Sequence, residues 1–474
     1  MKAGLVIIPA PGRGHIAVAV ELAKVINQGN RFSVTILTMA SPVPGVPTLP
    51  DSYAASIAAS GLDIHFLDLP TIDPQEKPAP VAFTGLISRY IASLVPHVKN
   101  ALLRLQSSTR VVALVVDFFA TTVIEAGDEL GIPSYIFSPS SGNLLGFMLY
   151  LPTLDAKIES DFEDLEEDIE IPGLSPLPLL HLPASLTKKS SEGYKWFLEL
   201  TRRFRYAEGI IVNTFRELEP AVLEAVSGGR CLPDHPTPPV FPVGPVVVLE
   251  ERDPSHPCIA WLDSQPPGSV VFLCFGSMGT LPEPQVREIA LGLERSGHRF
   301  LWSIRTRRSS DDFTVAPTEA DLEGDLPEGF VERTKDRGLV WPRWAPQTVI
   351  LSHEAIGGFV SHCGWNSTLE SLWFGVPILP WPLRAEQRMN ALELVRDIGA
   401  AVELIKMDYK GQSLVGAAEV ERGVRRLMGE TEEGRKARGK AVEARAAGRA
   451  AVEAGGSSSD ALTRLTEHLL SHNQ

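Results

Sequence analysis

His15 closes the glycine-rich turn "PAPGRGHIA", between an apolar run, "GLVIIPA", and a helical stretch from Ile16 to Asn27. Imidazole is the side chain best suited to take up a proton near neutral pH. A hydroxyl or phenol that attacks a carbon centre must lose its proton as the bond forms. The base that takes it needs a carboxylate to fix its tautomer and stabilise the imidazolium. Asp117 ends the buried run "VVALVVD", at the C-terminal end of a strand, where it can reach such a histidine. The alternative roles are helix-entry packing for His15 and a strand-end cap for Asp117.

A second locus runs from Trp344 to Gln387, "WAPQTVILSHEAIGGFVSHCGWNSTLESLWFGVPILPWPLRAEQ". It reads as a strand, "GGFVSH", meeting a helix that starts near Asn366 and runs through Glu370 to Trp373. The turn "HCGWNS" offers Gly364 for close backbone approach, and Asn366 and Ser367 are types that favour helix N-caps. A helix N-terminus with serine, asparagine and His362 beside it is a cradle for a diphosphate. Glu370, one turn further in, can accept hydrogen bonds from vicinal ribose hydroxyls, and Trp344 offers a flat face for a base. Taken singly, Trp344, Trp365 and Trp373 also suit a core, and His362 a satisfied loop.

Gly12, Gly14 and Ala17 satisfy the GxGxxG/A dinucleotide fingerprint, which would make the chain an NAD(P)-dependent dehydrogenase. That motif needs an acidic residue about 20 positions on to hold the ribose. The next strand ends at Leu37, Thr38 and Met39, with no carboxylate between Glu21 and Asp51, so the reading loses its anchor. No D-x-D triplet occurs and the remaining histidines lack ligand spacing; no metal and no cofactor are expected.

These loci need elements to hold them. Continuous Val/Ile/Leu runs alternate with helical stretches, the pattern of a parallel sheet covered on both faces. "FSVTILT", "PSYIFS" and "EGIIVNT" continue the series in the first half. "SVVFLCFGS", "RFLWSIR", "IGGFVSH" and "GVPILPW" restart it in the second. A proline-rich stretch between them marks a linker. The expected organisation is an N-terminal domain over 1–240, a linker over 241–257 and a C-terminal domain over 258–455. A final helix over 456–474 is expected to pack back on the first domain. The fold class is α/β, two doubly wound Rossmann-like domains facing a cleft, with ligands at the C-terminal ends of the strands. The segments 155–170 and 307–325 read as acidic, solvated surface.

With 474 residues, 44% of them hydrophobic, the chain can build two cores. A net charge of −14 provides no basic face for nucleic acid. Cys231, Cys258, Cys274 and Cys363 are far apart, without metal-site spacing, as in a reducing compartment. The apolar start breaks at Pro9, too short for a signal peptide, and no run is long enough to span a bilayer. A cytoplasmic monomer without stable membrane insertion is expected.

The segment from Trp344 to Gln387 resembles, without a gap, the signature of the plant secondary-product UDP-glycosyltransferases. The resemblance extends over "FVERTKDRGLVWPRWAPQ", "AWLDSQPPGSVVFLCFGSMG" and "EGIIVNTFRELEP". It implies the GT-B fold, with nucleotide sugar in the C-terminal domain and a small phenolic or flavonoid-like acceptor in the N-terminal one. It makes His15 and Asp117 a catalytic dyad, His15 the general base of an inverting transfer to oxygen or to an aromatic carbon. It puts Trp344, Ala345 and Gln347 at uracil and ribose, Glu370 at the ribose, and Ser277, His362, Gly364, Asn366 and Ser367 at the diphosphate. Trp365, Glu386 and Gln387 would contact the sugar, and the closing glutamine implies glucose where histidine often goes with galactose.

Two positions depart from the family. Pro139 stands where relatives often have threonine, leaving Ser140 as the polar sugar contact there. Arg384 replaces an aromatic residue. Pointed into the sugar pocket it would favour UDP-glucuronic acid. Turned to solvent, or paired with Glu386 or another carboxylate, it leaves glucose preferred, which is the expectation. Acceptor contacts are expected from loops around Arg13, Phe118, Phe119 and Phe147.

Overall fold

The computed structural model describes residues 2–43, 46, 53, 56–57, 59–72, 83–307, 316–404, 414–429 and 431–471. The chain forms two compact units. The first comprises residues 1–179, 184–246 and 450–474, the second residues 180–183 and 247–449.

The first unit is built on seven strands: β1 (Ala3–Ile8), β2 (Phe32–Thr38), β3 (Ile64–Asp68), β4 (Val111–Asp117), β5 (Ser134–Ser138), β6 (Gly209–Val212) and β7 (Val240–Pro242). They lie in the order β3-β2-β1-β4-β5-β6-β7, and every pairing is parallel. Each residue of β4 is buried, as both-face coverage demands. Helix α1 (Arg13–Ile26) follows β1, α2 (Phe83–Gln106) precedes β4, and α3 (Gly142–Lys157) follows β5. The α1 N-cap is Gly12 at φ 121°, a conformation open to glycine and strained for other residues. It turns the chain sharply from β1 into the helix that carries His15.

The second unit has a five-stranded parallel sheet: β8 (Val270–Cys274), β9 (Arg299–Ser303), β12 (Gly338–Trp341), β13 (Ile356–Ser361) and β14 (Ile378–Pro380), ordered β12-β9-β8-β13-β14. A small antiparallel hairpin, β10 (Arg305–Thr306) with β11 (Thr318–Glu319), follows β9. Helix α4 (Glu283–Ser296) follows β8, α5 (Trp365–Phe374) follows β13, and α6 (Gln387–Glu393) follows β14. Trp302, Phe272 and Phe300 are fully enclosed in this unit's core.

Helix α7 (Ser457–Ser471) belongs to the first unit. Its Ala461, Leu465 and Leu469, one face at four-residue spacing, join the core that includes Tyr135 and Phe241. His468 Nδ1 and Tyr135 Oη, 2.6 Å apart, close the contact. Truncating a buried leucine such as Leu465 to alanine costs about 2–5 kcal/mol.

Two expectations from sequence change here. Phe241 and Pro242, assigned to the linker, belong with Val240 to the seventh strand, and Val243 and Val246 after them enter the core of the first unit. Thr318–Glu319, assigned to a solvated loop, is the second strand of the hairpin. Among the described residues no helix is long and apolar enough to cross a membrane.

Candidate functional site

In the first sheet the chain runs outward from β1 through β2 to β3, then returns to place β4 on the other side of β1. At such a reversal the loops after two neighbouring strands diverge and leave a crevice beyond their C-terminal ends. His15 follows β1 and Asp117 ends β4, so both belong to this point. His15 Nδ1 lies 2.7 Å from Asp117 Oδ2. The carboxylate is enclosed, its side chain 1% exposed against 30% for the imidazole. Its other oxygen, Oδ1, accepts the Phe119 backbone N–H at 3.0 Å.

A carboxylate held this way only accepts, so Nδ1 carries the proton and Nε2 the lone pair. Phe118 and Phe119, 4.1 Å apart centre to centre, flank the ring, Phe119 edge-on at 5.6 Å. The imidazole is thereby fixed in tautomer and in orientation. Arg13, which opens α1, and Phe119, just after β4, are both half-buried. Phe147 is fully buried within α3, and Phe118 nearly so. Phe147 therefore serves the core and presents no surface to an acceptor, contrary to the expectation from sequence. Ser140 follows β5 in this unit, buried, with no hydrogen-bond partner for its hydroxyl.

The second sheet repeats the reversal, between β8 and β13. The loop after β8 carries Gly276 and Ser277, and the loop after β13 carries His362, Cys363 and Gly364. His362 Nε2 lies where a Cβ on Gly276 or on Gly364 would come within 2.5 Å of it. The imidazole is thus wedged between two backbones that must both be glycine. Gly276, at φ 77°, also needs its left-handed conformation. Enclosure pushes the His362 pKa down to about 3, with the Arg384 charge adding to the effect. The ring is neutral at physiological pH, with Nδ1 buried and unpartnered.

Helix α5 begins at Trp365, and its N-cap is Gly364 without a side-chain cap. Asn366 and Ser367 were expected as caps; they occupy the second and third helical positions instead. The α5 N-terminus thus points its backbone donors into the same loop cluster as Ser277 and His362. Gln347 ties the neighbouring loop to this helix. Its Nε2 donates to Ser367 Oγ at 2.8 Å and to Glu370 Oε2 at 2.6 Å. Trp344 is 38% exposed, while Ala345 is buried beside it. The Trp341 indole N–H holds the Trp344 carbonyl at 2.9 Å.

Glu386 and Gln387 stand where the loop after β14 enters α6. Gln387 Oε1 accepts the backbone N–H groups of Leu383 and Arg384, each at 2.9 Å. What Gln387 can offer a ligand is its Nε2 amide. Trp365 is 3% exposed, so its ring packs in the unit's interior. Arg384 is half-buried, not turned to solvent. Desolvation and the Arg307 charge pull its pKa down to about 10, against the Glu386 carboxylate.

Sequence reasoning missed Arg305 and Arg307. Arg305 Nη2 donates to the Gly276 carbonyl at 2.6 Å, and its guanidinium lies 5.6 Å from the Trp344 ring centre. Arg307 Nη2 reaches the Met278 carbonyl at 3.4 Å. The available signal was a pair of cations just past the end of a buried strand, ahead of an acidic run.

Two doubly wound parallel units, with a histidine–carboxylate pair at one switch point and a helix N-terminus at the other, define a GT-B type transferase. A family model for "UDP-glucoronosyl and UDP-glucosyl transferase" matches residues 232–420. Malvidin galactosylase UGT88C3 of Oryza sativa subsp. japonica is 48% identical over 481 residues, covering 99% of this chain and 98% of its own. Medicago truncatula UGT71G1, solved with UDP-glucose, is 39% identical with a TM-score of 0.87, covering 99% of this chain and 98% of its own. Phytolacca americana UGT2, solved with UDP-2fluoro-glucose and pterostilbene, is 38% identical with a TM-score of 0.85, covering 98% of this chain and 99% of its own. The chain belongs to the UDP-glycosyltransferase family and is a glycosyl-transferring enzyme.

Proposed function

We propose that the protein transfers glucose from UDP-glucose to a hydroxyl of a small phenolic acceptor, inverting the anomeric centre, with His15 as general base. The observation that carries the base assignment is the 2.7 Å contact between His15 Nδ1 and the enclosed Asp117 carboxylate. The acceptor O–H gives its proton to Nε2 as the oxygen bonds to the anomeric carbon. The bond from that carbon to the β-phosphate oxygen breaks, and its electron pair leaves with UDP. A single displacement of this kind converts the α-linked donor into a β-glucoside.

In this reading the second unit holds the donor. The Trp344 ring takes the uracil, Gln347 and Glu370 the ribose, and His362, Ser277 and the α5 N-terminus the diphosphate. Neutral His362 can donate or accept a hydrogen bond there at no cost of charging. The diphosphate charge is met by protein donors, so no metal is required. A phenolic acceptor is supported by the pterostilbene bound to the Phytolacca americana enzyme and by the aromatic rings flanking His15.

Glucose rests on Gln387, whose anchored carbonyl aims its amide, and on Glu386 beside it. The rice relative is named a galactosylase, which favours UDP-galactose as the second reading. The two sugars differ in one hydroxyl configuration, which a site of fixed polar groups can discriminate. Competition between UDP-glucose, UDP-galactose and UDP-glucuronic acid over a panel of phenols, with products read by mass spectrometry and acid hydrolysis, tests both parts. UDP-glucose first, on a phenol, is the expected result. Galactoside as the main product would replace the donor, and turnover of no phenol would replace the acceptor class.

A further inference from the structure

Trp344, the platform proposed for the uracil, is held from several sides although its side chain stays open. Its carbonyl accepts the Trp341 indole N–H at 2.9 Å. The carbonyl before it, at Arg343, accepts the Ser303 hydroxyl at 3.2 Å. Those two bonds fix the backbone of the loop. The Arg305 guanidinium lies over the indole ring, its Cζ 5.6 Å from the ring centre. Arg305 is itself anchored: its Nη2 donates to the Gly276 carbonyl at 2.6 Å, and its backbone pairs with Glu319 in the β10–β11 hairpin. Trp344 nevertheless remains 38% exposed.

An exposed indole ordinarily turns about its side-chain torsions, and a ligand that stacks on it must first bring the ring to rest, which lowers affinity. A guanidinium over an indole is attracted to it electrostatically, so here the ring is at rest before any ligand arrives. With one face taken by the guanidinium, the other is left for a flat base. The same guanidinium is tied to Gly276, the neighbour of Ser277. It therefore also fixes the spacing between the base platform and the turn assigned to the diphosphate.

We infer that Arg305 is a positioning residue for the donor: it sets the Trp344 ring for stacking with the uracil and acts on the ligand through that ring. This rests on the donor site proposed above and adds to it the means by which the base platform is held. Removal of the guanidinium therefore weakens the hold on the base, and does so only while the indole is there to be held. Lysine keeps a cation that can sit over the ring but lacks the planar group that lies flat on an indole. Methionine keeps much of the reach and removes the charge.

The test is a calorimetric titration of uridine and UDP into the wild type, Arg305→Met, Arg305→Lys, Trp344→Ala and the variant carrying both Arg305→Met and Trp344→Ala. Thermal melts report that each is folded, and Arg305→Gln repeats the test should the methionine variant fail to fold. Arg305→Met should weaken uridine by about 3- to 10-fold, with part of the loss recovered in Arg305→Lys. Trp344→Ala should weaken UDP by about 5- to 100-fold. The double variant should then bind UDP about as Trp344→Ala does, since the guanidinium has no ring left to hold. Unchanged uridine affinity in Arg305→Met would overturn the assignment. A loss seen with UDP alone counts as that outcome, because it would put the guanidinium's effect at the diphosphate. Fully additive losses in the double variant would overturn it as well, since a residue that merely supports the fold acts whether or not Trp344 is present. Should Trp344→Ala leave UDP affinity intact, the donor site itself is misplaced, a failure distinct from that of Arg305.

Discussion

His15 Nδ1 and Asp117 Oδ2 lie 2.7 Å apart, although 102 positions separate the two residues in the chain. The fold closes that distance by setting β1 beside β4, so that the residue opening α1 meets the residue ending β4. In the proposed mechanism the carboxylate orients the ring through its Nδ1–H and stabilises the imidazolium that forms during transfer. Asp117→Asn keeps the shape, but an amide can donate to Nδ1 and so move the proton to Nε2. We expect turnover to fall by about 10²–10⁴ with donor affinity preserved. Wild-type kcat in that variant would remove Asp117 from the mechanism.

Glu370 accepts from Gln347 Nε2 at 2.6 Å and half-buries its carboxylate on α5. Glu370→Ala removes the acceptor proposed for the ribose and also releases Gln347. The KM for UDP-glucose should rise about 10- to 100-fold, with the acceptor KM little changed. Initial-rate kinetics in both substrates decide it: an unaltered donor KM would place the ribose elsewhere.

His362 yields a pH prediction. Its value of about 3 in the folded protein lies below the ordinary 6.5. Between those limits the unfolded chain binds a proton that the folded protein does not, so the histidine subtracts stability as pH falls from 6.5 towards 3. In His362→Gln that loss is absent. Thermal melts across this range should show Tm falling less steeply with acid in the variant than in the wild type. Parallel slopes would mean that the imidazole titrates normally.

Metal dependence separates two ways of meeting the diphosphate charge. Among the described residues no group of three or more His, Cys, Asp or Glu side chains is placed so that it could hold a metal ion. The α5 N-terminus, Ser277 and His362 serve in the proposed mechanism. Treatment with EDTA should leave most of the transfer rate, assayed by UDP release. Complete loss, restored by magnesium or manganese, would contradict the assignment.

Much of this was legible in the sequence, for reasons that lie in particular residues. The buried central strands announced themselves, because a run such as "VVALVVD" is apolar throughout when both faces are covered. In the two parallel sheets the strands that escaped, β3, β7 and β12, are edges. An edge needs apolar residues less: β3 buries only Ile64 of its five, and β7 is three residues ending in proline. The loci around His15 and His362 were readable because each follows a strand and opens a helix, an arrangement that local sequence encodes. Arg305 and Arg307 were not, since their partners are backbone carbonyls of another loop, and a carbonyl carries no sequence signal. Arg384 was visible as a departure, but its half-buried setting is set by the tertiary fold, which its local sequence does not encode.

The account stands most directly on one variant measured two ways. His15→Ala should lower kcat by about 10²–10⁴, while the Kd for UDP, titrated on the same preparation, stays at its wild-type value. In the proposed mechanism the base touches the acceptor, and the residues assigned to the nucleotide lie in the other unit. Turnover within a few-fold of wild type, or a collapse of UDP binding together with activity, would contradict the assignment of His15 as the general base.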